Sequence, residues 1–324
     1  MSQPAQPTAT TDRTDLNKLE QLREMSVVVA DTGDIEAIKK YKPRDCTTNP
    51  SLILKAAQLP GYSSLIRELI DTMPKEGDPD DLLDLLTVRI GTELTKIVPG
   101  DVSTEVDAYL SFDKNLAVAK ARKLISLYEQ QGVGKDRILI KLAATWEGIQ
   151  AAKELLADGI RCNLTLVFSK EQAITCAQAG VYLISPFVGR ITDWYKKAQG
   201  VDSFSIDQDP GVQSVKGIYS HFKAHGYKTV VMGASFRSAA QVEALAGCDR
   251  LTVSPQLLGD LEADQGKLER QLTPQEGHET EEQITEAQFR WALAANPMAN
   301  EKLAEGIVAF HNDTEKLRDL LKNF

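Results

Sequence analysis

The amino-acid sequence predicts an α/β fold, a (β/α)8 TIM barrel with additional helices, and three observations carry that expectation. Eight short apolar runs are spaced along the 324 residues, with helical stretches between most of them. Strand alternating with helix implies a parallel sheet with right-handed crossovers, and a count of eight suits a closed barrel. Polar residues stand at the ends of most of these runs, whereas an open doubly wound sheet gathers its binding residues at one switch point.

In chain order, residues 1–14 are polar and are expected to form a disordered extension, with 15–324 expected as a single barrel domain. Strands are expected at 27–30, 46–48, 102–106, 138–142, 162–167, 181–185, 229–232 and 250–253. The connection from Pro50 to Gly100 is too long for one crossover. It carries the acidic interruption Gly77-Asp78-Pro79-Asp80-Asp81 and is expected to hold extra helices. From Asp113 to Gln131, Ala117, Ala121, Leu124 and Tyr128 recur at the spacing of one buried helix face. After the fourth strand, Ile149, Ala152 and Leu156 mark another. Beyond Ser254 come a polar stretch from Thr273 to Glu282 and a final helix, whose stripe of Leu303, Ile307, Phe310, Leu317 and Leu321 packs on the barrel or on a partner subunit.

Composition narrows the function. A net charge of −9 argues against a nucleic-acid or anionic-membrane surface, because those partners require a basic field. An anionic small molecule must then be held by a few local arginines. No apolar run has the length of a membrane span and the amino terminus lacks a secretory core, so a cytoplasmic protein is expected. Cys46, Cys162, Cys176 and Cys248 have no CxxC spacing and read as reduced packing residues.

Lys141 is the most informative single residue. It breaks the apolar run Ile138-Leu139-Ile140, and a lysine on a buried strand carries its charge at a cost that favours the neutral, nucleophilic amine. Such an amine can form a Schiff base with a carbonyl, the entry to aldol chemistry without a metal. Because side chains alternate along a strand, Asn163 and Thr165 share one side of their run, while Leu164 and Leu166 share the other and face the helices. The same parity turns Ser103 and Glu105 inward, puts Lys141 on the side of Leu139 and Ala143, and aligns Asp31 with Val27 and Val29.

One cavity therefore collects Asp31, Asn49, Ser103, Glu105, Lys141, Asn163, Thr165 and Ser185. Each alone has an ordinary explanation as a satisfied strand residue; eight on one side do not. An amine, two carboxylates and several hydroxyl and amide groups suit chemistry in which carbinolamine dehydration and carbon–carbon cleavage both need proton transfer. Pro186-Phe187-Val188-Gly189-Arg190 and Gly233-Ala234-Ser235-Phe236-Arg237 follow the sixth and seventh strands. Each joins a glycine turn to an arginine, and together they offer a phosphate cradle at a barrel mouth. The parity of Ser185 also turns the Phe187 ring to the cavity.

His221 and His225 have metal-compatible spacing on one helix, but that helix is expected outside the barrel, and no catalytic metal is expected. Without a GxGxxG or Walker sequence, no nucleotide cofactor is expected either.

Seven stretches together resemble the class I transaldolase family in its longer, full-barrel form: VVVADTGD, DCTTNPSLILKA, VSTEVDAYLSFD, ILIKLAATWEGI, CNLTLVFS, YLISPFVGRITDWY and VVMGASFR. The resemblance runs from about residue 15 onward. Cys46 and Ala144 depart from the alanine and serine usual there. The resemblance implies transfer of a dihydroxyacetone unit between sugar phosphates in the non-oxidative pentose phosphate pathway, by a homodimer. It implies Lys141 as the Schiff-base residue, Glu105 and Thr165 in carbinolamine proton transfer, and Asp31 at the C4 hydroxyl. Asn49, Ser103, Asn163 and Ser185 would hold the dihydroxyacetone unit, and Arg190, Ser235 and Arg237 the phosphate. Two alternatives stay open, a class I aldolase releasing free dihydroxyacetone and a catalytically silent barrel that binds sugar phosphates.

Overall fold

A computed structural model describes residues 16–72, 78–274 and 277–323. The expected extension at 1–14 and Gly77 of the acidic interruption lie outside the described residues. Eight strands, β1 (Val27–Asp31), β2 (Asp45–Thr47), β3 (Val102–Glu105), β4 (Ile138–Ala143), β5 (Cys162–Val167), β6 (Leu183–Pro186), β7 (Val230–Gly233) and β8 (Arg250–Val253), form a closed barrel in sequence order. All neighbours are parallel, and β8 returns to pair with β1.

The sixth strand starts at Leu183 instead of Val181, because the Val181 amide still donates to Cys176 of the preceding helix. Parity holds along most strands. Val29, Leu139, Leu183 and Met232 fill the barrel interior, while Val28, Ile140, Leu164, Ile184 and Val231 face the surrounding helices.

Parity fails at Leu166. The β5–β6 register shifts between Leu164 and Val167, and Leu166 takes a left-handed φ of 58°. Its side chain leaves the outward face and joins Phe168, Phe187, Leu303, Ile307 and Phe310 at the mouth. A left-handed leucine costs on the order of 1–2 kcal/mol, so its surroundings must fix it. Gln172 does so: its amide donates to the Leu166 and Ala144 carbonyls at 3.1 and 2.9 Å, and its oxygen accepts from the Phe168 and Ser169 amides.

The connection from β2 to β3 holds helices Pro50–Ala57, Ser63–Thr72 and Pro79–Thr95, the extra helices expected there. Helix Lys114–Gln130 buries Ala117, Ala121, Leu124 and Tyr128 as its spacing requires. In helix Trp146–Ala157 the buried face runs through Ile149, Ala152 and Leu155; Leu156, expected inside, is exposed. The buried positions Gly148, Ile149, Ala151, Ala152 and Leu155 make a wide face centred between Gly148 and Ala152, so Leu155 lies nearer its centre than Leu156, which stands in the last turn of the helix.

The final helix, Pro297–Lys322, buries the whole expected stripe and lies on the barrel mouth, against helices Pro50–Ala57 and Gly189–Gln199 and the turn Ala108–Phe112. Arg318 anchors it, 2.9 Å from Asp80 and 2.7 Å from Asp107. At the opposite end of the barrel Arg250 contacts Asp45 at 2.6 Å and Asp101 at 3.2 Å, and donates to the Tyr182 hydroxyl. Arg161 completes this cluster on Asp101 at 2.7 Å. All four cysteines are buried and unpaired.

Candidate active site

The site is built by strand register. Glu105 on β3 and Lys141 on β4 are direct partners across the ladder, as are Lys141 and Asn163 on β5. Both Glu105 and Lys141 point inward, so their side chains meet: Lys141 Nζ lies 3.0 Å from Glu105 Oε2, with 5% and 4% of the two side chains exposed. The same ammonium donates to the Thr48 carbonyl at 3.1 Å. Glu105 Oε2 has no hydrogen bond of good alignment, so the contact is an ion pair by distance that leaves the oxygen open to a further donor.

Burial pushes the Glu105 carboxyl above its ordinary range, with Lys141 pulling against it. Asp31 behaves alike: burial raises it, and Lys141, Arg190 and Lys55 oppose the rise. Both acids therefore hold a proton more readily than a surface carboxylate. A proton donor beside the amine and a second acid across the cavity are what stepwise proton transfer needs.

A cavity of about 350 Å³ opens above these groups at the C-terminal end of the strands. Its walls include Asp31, Asn49, Lys141, Thr165, Ser185, Phe187, Arg190, Ser235 and Arg237, as expected from the sequence. Ser103, Asn163 and Glu105, expected on the same wall, are off it: Ser103 and Asn163 are buried, and Glu105 borders a smaller cavity with Thr48, Asn49 and Arg318 and reaches the site through Lys141. Asn163 donates to Ser103 at 3.1 Å and accepts from Ser185 at 2.6 Å, so the two support Ser185 from behind. Asn49 divides its amide: the oxygen caps helix Pro50–Ala57 by accepting from Leu52, while the side chain still borders the cavity. A larger cavity, about 830 Å³, lies near the strand starts among Arg23, Met25, Lys42 and Ile97, away from these groups. Chemistry, not size, selects the site.

Several wall residues were not foreseen. Thr47 and Thr252 have the inward parity that could have found them, and their hydroxyls are buried without a partner among the described residues, as is that of Thr165. Lys55 and Phe310 come from helices, and no strand pattern points to them. The Phe310 ring lies 5.8 Å from Lys141 Nζ and 5.4 Å from the Arg190 guanidinium.

The two arginine segments are joined as a pair. Phe187 bridges to Ala234, and the Val188 and Gly189 amides donate to the Ala234 and Ser235 carbonyls at 2.8 and 2.7 Å. Ser235 takes a left-handed φ of 61°, and a Cβ on Gly189 would stand 2.4 Å from its carbonyl oxygen, which is why glycine is needed there. Arg237 is half exposed and paired with Asp193 at 2.9 Å. Arg190 has no ion-pair partner among the described residues; it stacks on Phe187 at 4.9 Å, and burial together with Arg237 lowers its affinity for its proton. A desolvated guanidinium facing a cavity is a receptor for an anion.

Comparison with known proteins agrees with this geometry. Residues 28–321 match the family model described as Transaldolase/Fructose-6-phosphate aldolase. A protein named Transaldolase from Marinomonas sp. (strain MWYL1) is 57% identical over 312 residues, covering 94% of this chain and 98% of its own length. Proteins of the same name from Shewanella woodyi and Rhizobium leguminosarum bv. trifolii are 58% and 55% identical, each covering 94% of this chain and 97% of their own length. With a match over nearly the full barrel, the chain belongs to the transaldolase/fructose-6-phosphate aldolase family.

Proposed function

We propose that this protein is a transaldolase. It moves a dihydroxyacetone unit from a ketose phosphate, sedoheptulose 7-phosphate or fructose 6-phosphate, to an aldose phosphate, glyceraldehyde 3-phosphate or erythrose 4-phosphate. The observation that carries the proposal is Lys141, buried 3.0 Å from Glu105 and lining a cavity that also holds Asp31 and Arg190, the latter without an ion-pair partner among the described residues.

In this mechanism Lys141 gives one ammonium proton to Glu105, and the resulting amine attacks the donor C2 carbonyl, its N–H proton passing to the new oxygen to complete the carbinolamine. Glu105, with Thr165, delivers the proton with which the carbinolamine hydroxyl leaves as water, giving the iminium. Asp31 then takes the proton of the C4 hydroxyl, the C3–C4 bond breaks, and the aldose phosphate departs while its bonding electrons form the enamine. The incoming aldehyde is attacked by the same enamine carbon, Asp31 returns its proton to the new hydroxyl, and hydrolysis frees Lys141. Asn49 and Ser185 hold the three-carbon unit, with Ser103 and Asn163 behind Ser185. Arg190, Ser235 and Arg237 bind the phosphate far from the reacting carbons, so that its binding energy orients the sugar. Phe187 and Phe310 are apolar walls that keep proton donors from the enamine.

The relatives' name favours transfer over release of free dihydroxyacetone, the alternative that the family description also includes. The assay pairs fructose 6-phosphate with erythrose 4-phosphate and follows sedoheptulose 7-phosphate, glyceraldehyde 3-phosphate and free dihydroxyacetone. Formation of the first two supports the transaldolase; glyceraldehyde 3-phosphate accompanied by free dihydroxyacetone in place of sedoheptulose 7-phosphate would make the protein an aldolase, and no turnover would favour a silent binding barrel. Borohydride added with donor sugar should label Lys141. We further propose a single-domain cytoplasmic homodimer, on the family resemblance; among the described residues no helix is long and apolar enough to cross a membrane.

A further inference from the structure

Helix Pro210–Ala224 lies outside the barrel, and His221 and His225 stand one turn apart at its C-terminal end. The chain returns to this point much later. The Glu279 amide donates to the Ala224 carbonyl at 3.0 Å, and Gly277 passes so close to the helix that a Cβ there would stand 2.0 Å from the same oxygen. That return places Glu281 Oε1 and Oε2 at 3.1 and 3.2 Å from His221 Nε2, and Glu279 at 3.9 Å from His225 Nε2.

We propose that His221, His225 and Glu281, with Glu279 as fourth donor, form a surface site for a divalent transition metal of the zinc class, separate from the catalytic cavity. The ligand atoms of the first three already lie within 4.8 Å of one another. Metal–ligand bonds of about 2.0–2.1 Å in a tetrahedron need separations of roughly 3.4 Å, a side-chain adjustment rather than a backbone movement. Glu279, 71% exposed, is free to swing in.

The surrounding groups are arranged as a metal's outer partners are. His225 Nδ1 faces the His221 carbonyl at 2.9 Å; a proton on that nitrogen leaves Nε2 bare and aimed at the carboxylates. Tyr227 donates to Glu281 Oε1 at 2.5 Å and fixes the carboxylate. Lys170 is a cation close enough to act on His221. Two imidazoles with two carboxylates select zinc, cobalt or nickel over magnesium or calcium, which prefer all-oxygen shells. Two carboxylates also outweigh Lys170 as the field that an arriving cation meets. Bound there, the metal staples the helix to the 277–281 segment.

The test uses the full, tag-free chain stripped with chelator and titrated with Co2+, whose visible absorption reports tetrahedral coordination, followed by Zn2+ displacement. The expected result is one saturable site per chain, displaced by one equivalent of Zn2+, and a melting temperature raised by Zn2+. His225→Ala and Glu281→Gln should each weaken binding at least tenfold and abolish the Zn2+ stabilisation. Glu281→Gln preserves side-chain size, so it keeps the test decisive if a histidine variant fails to fold. No saturable binding, or binding of equal strength in wild type and both variants, overturns the site.

Discussion

At the scale of the residue, the two arginines of the cradle are unequal. Arg237 already has Asp193 as a partner, so a phosphate must compete for it, whereas Arg190 has no ion pair among the described residues. Arg190→Ala should therefore weaken use of phosphorylated donors by about 2–5 kcal/mol in kcat/KM, and Arg237→Ala by less, with unphosphorylated fructose nearly unaffected by either. Equal losses on both sugars would remove the arginines from phosphate binding. Asp31 gives a pH test. Burial raises its folded-state pKa above that of the unfolded chain, so its contribution to stability is present below the ordinary carboxylate range and is lost as pH rises through the raised value. Asp31→Asn should accordingly have a higher urea midpoint than wild type at pH 8, with the difference vanishing near pH 4. A less stable variant at pH 8 would mean that attraction to Lys141, Arg190 and Lys55 outweighs burial. The same variant should form the imine and fail to cleave it, so that borohydride traps the whole sugar on Lys141. Lys141 and its inward neighbours were legible because period-two alternation sorts a strand without reference to anything else. Lys55 and Phe310 were not, because a helix residue reaches a barrel mouth only through tertiary packing.

At the scale of the element, the bulge in β5 and the helix Pro297–Lys322 make one unit. Leu166, turned up by its left-handed backbone, packs under that helix, and a Cβ on Gly306 would stand 2.6 Å from it. Phe310, one turn further, is 2% exposed and borders the cavity. Phe310→Ala should cost about 3–5 kcal/mol of stability and raise KM for phosphorylated donors, since the ring also positions Arg190. Denaturant unfolding and initial rates measured on one preparation check both; a stability loss with unchanged KM would make the ring packing alone. The stripe of this helix was readable from its 3.6-residue period, but its destination was not, because amphipathicity says that a face is covered and not by what. The bulge was invisible for a different reason: leucine carries no turn signal, and its conformation is imposed by Gln172 from the following helix.

At the scale of the whole molecule, the barrel divides its labour between two ends. Chemistry occupies the C-terminal mouth, while Arg250, Asp45, Asp101 and Arg161 tie four strands and their approaches together at the other end. Arg250→Ala would leave Asp45 and Asp101 buried with less compensation, at a cost of about 3–5 kcal/mol, while kcat of the folded enzyme stays unchanged. A parallel fall in kcat would show that the two ends are coupled. The count of eight strands, their order and the position of the site were all implicit in the strand–helix alternation. The barrel closes when β8 meets β1, but the wall bearing Phe310 belongs to a helix made later in synthesis. The strands alone thus leave the lysine pocket open to water on the side that Phe310 covers. A chain cut before that helix, if its barrel stays folded, should protonate the enamine and release the three-carbon unit as free dihydroxyacetone, so that the last segment of the sequence decides whether the lysine hands its cargo on or lets it go.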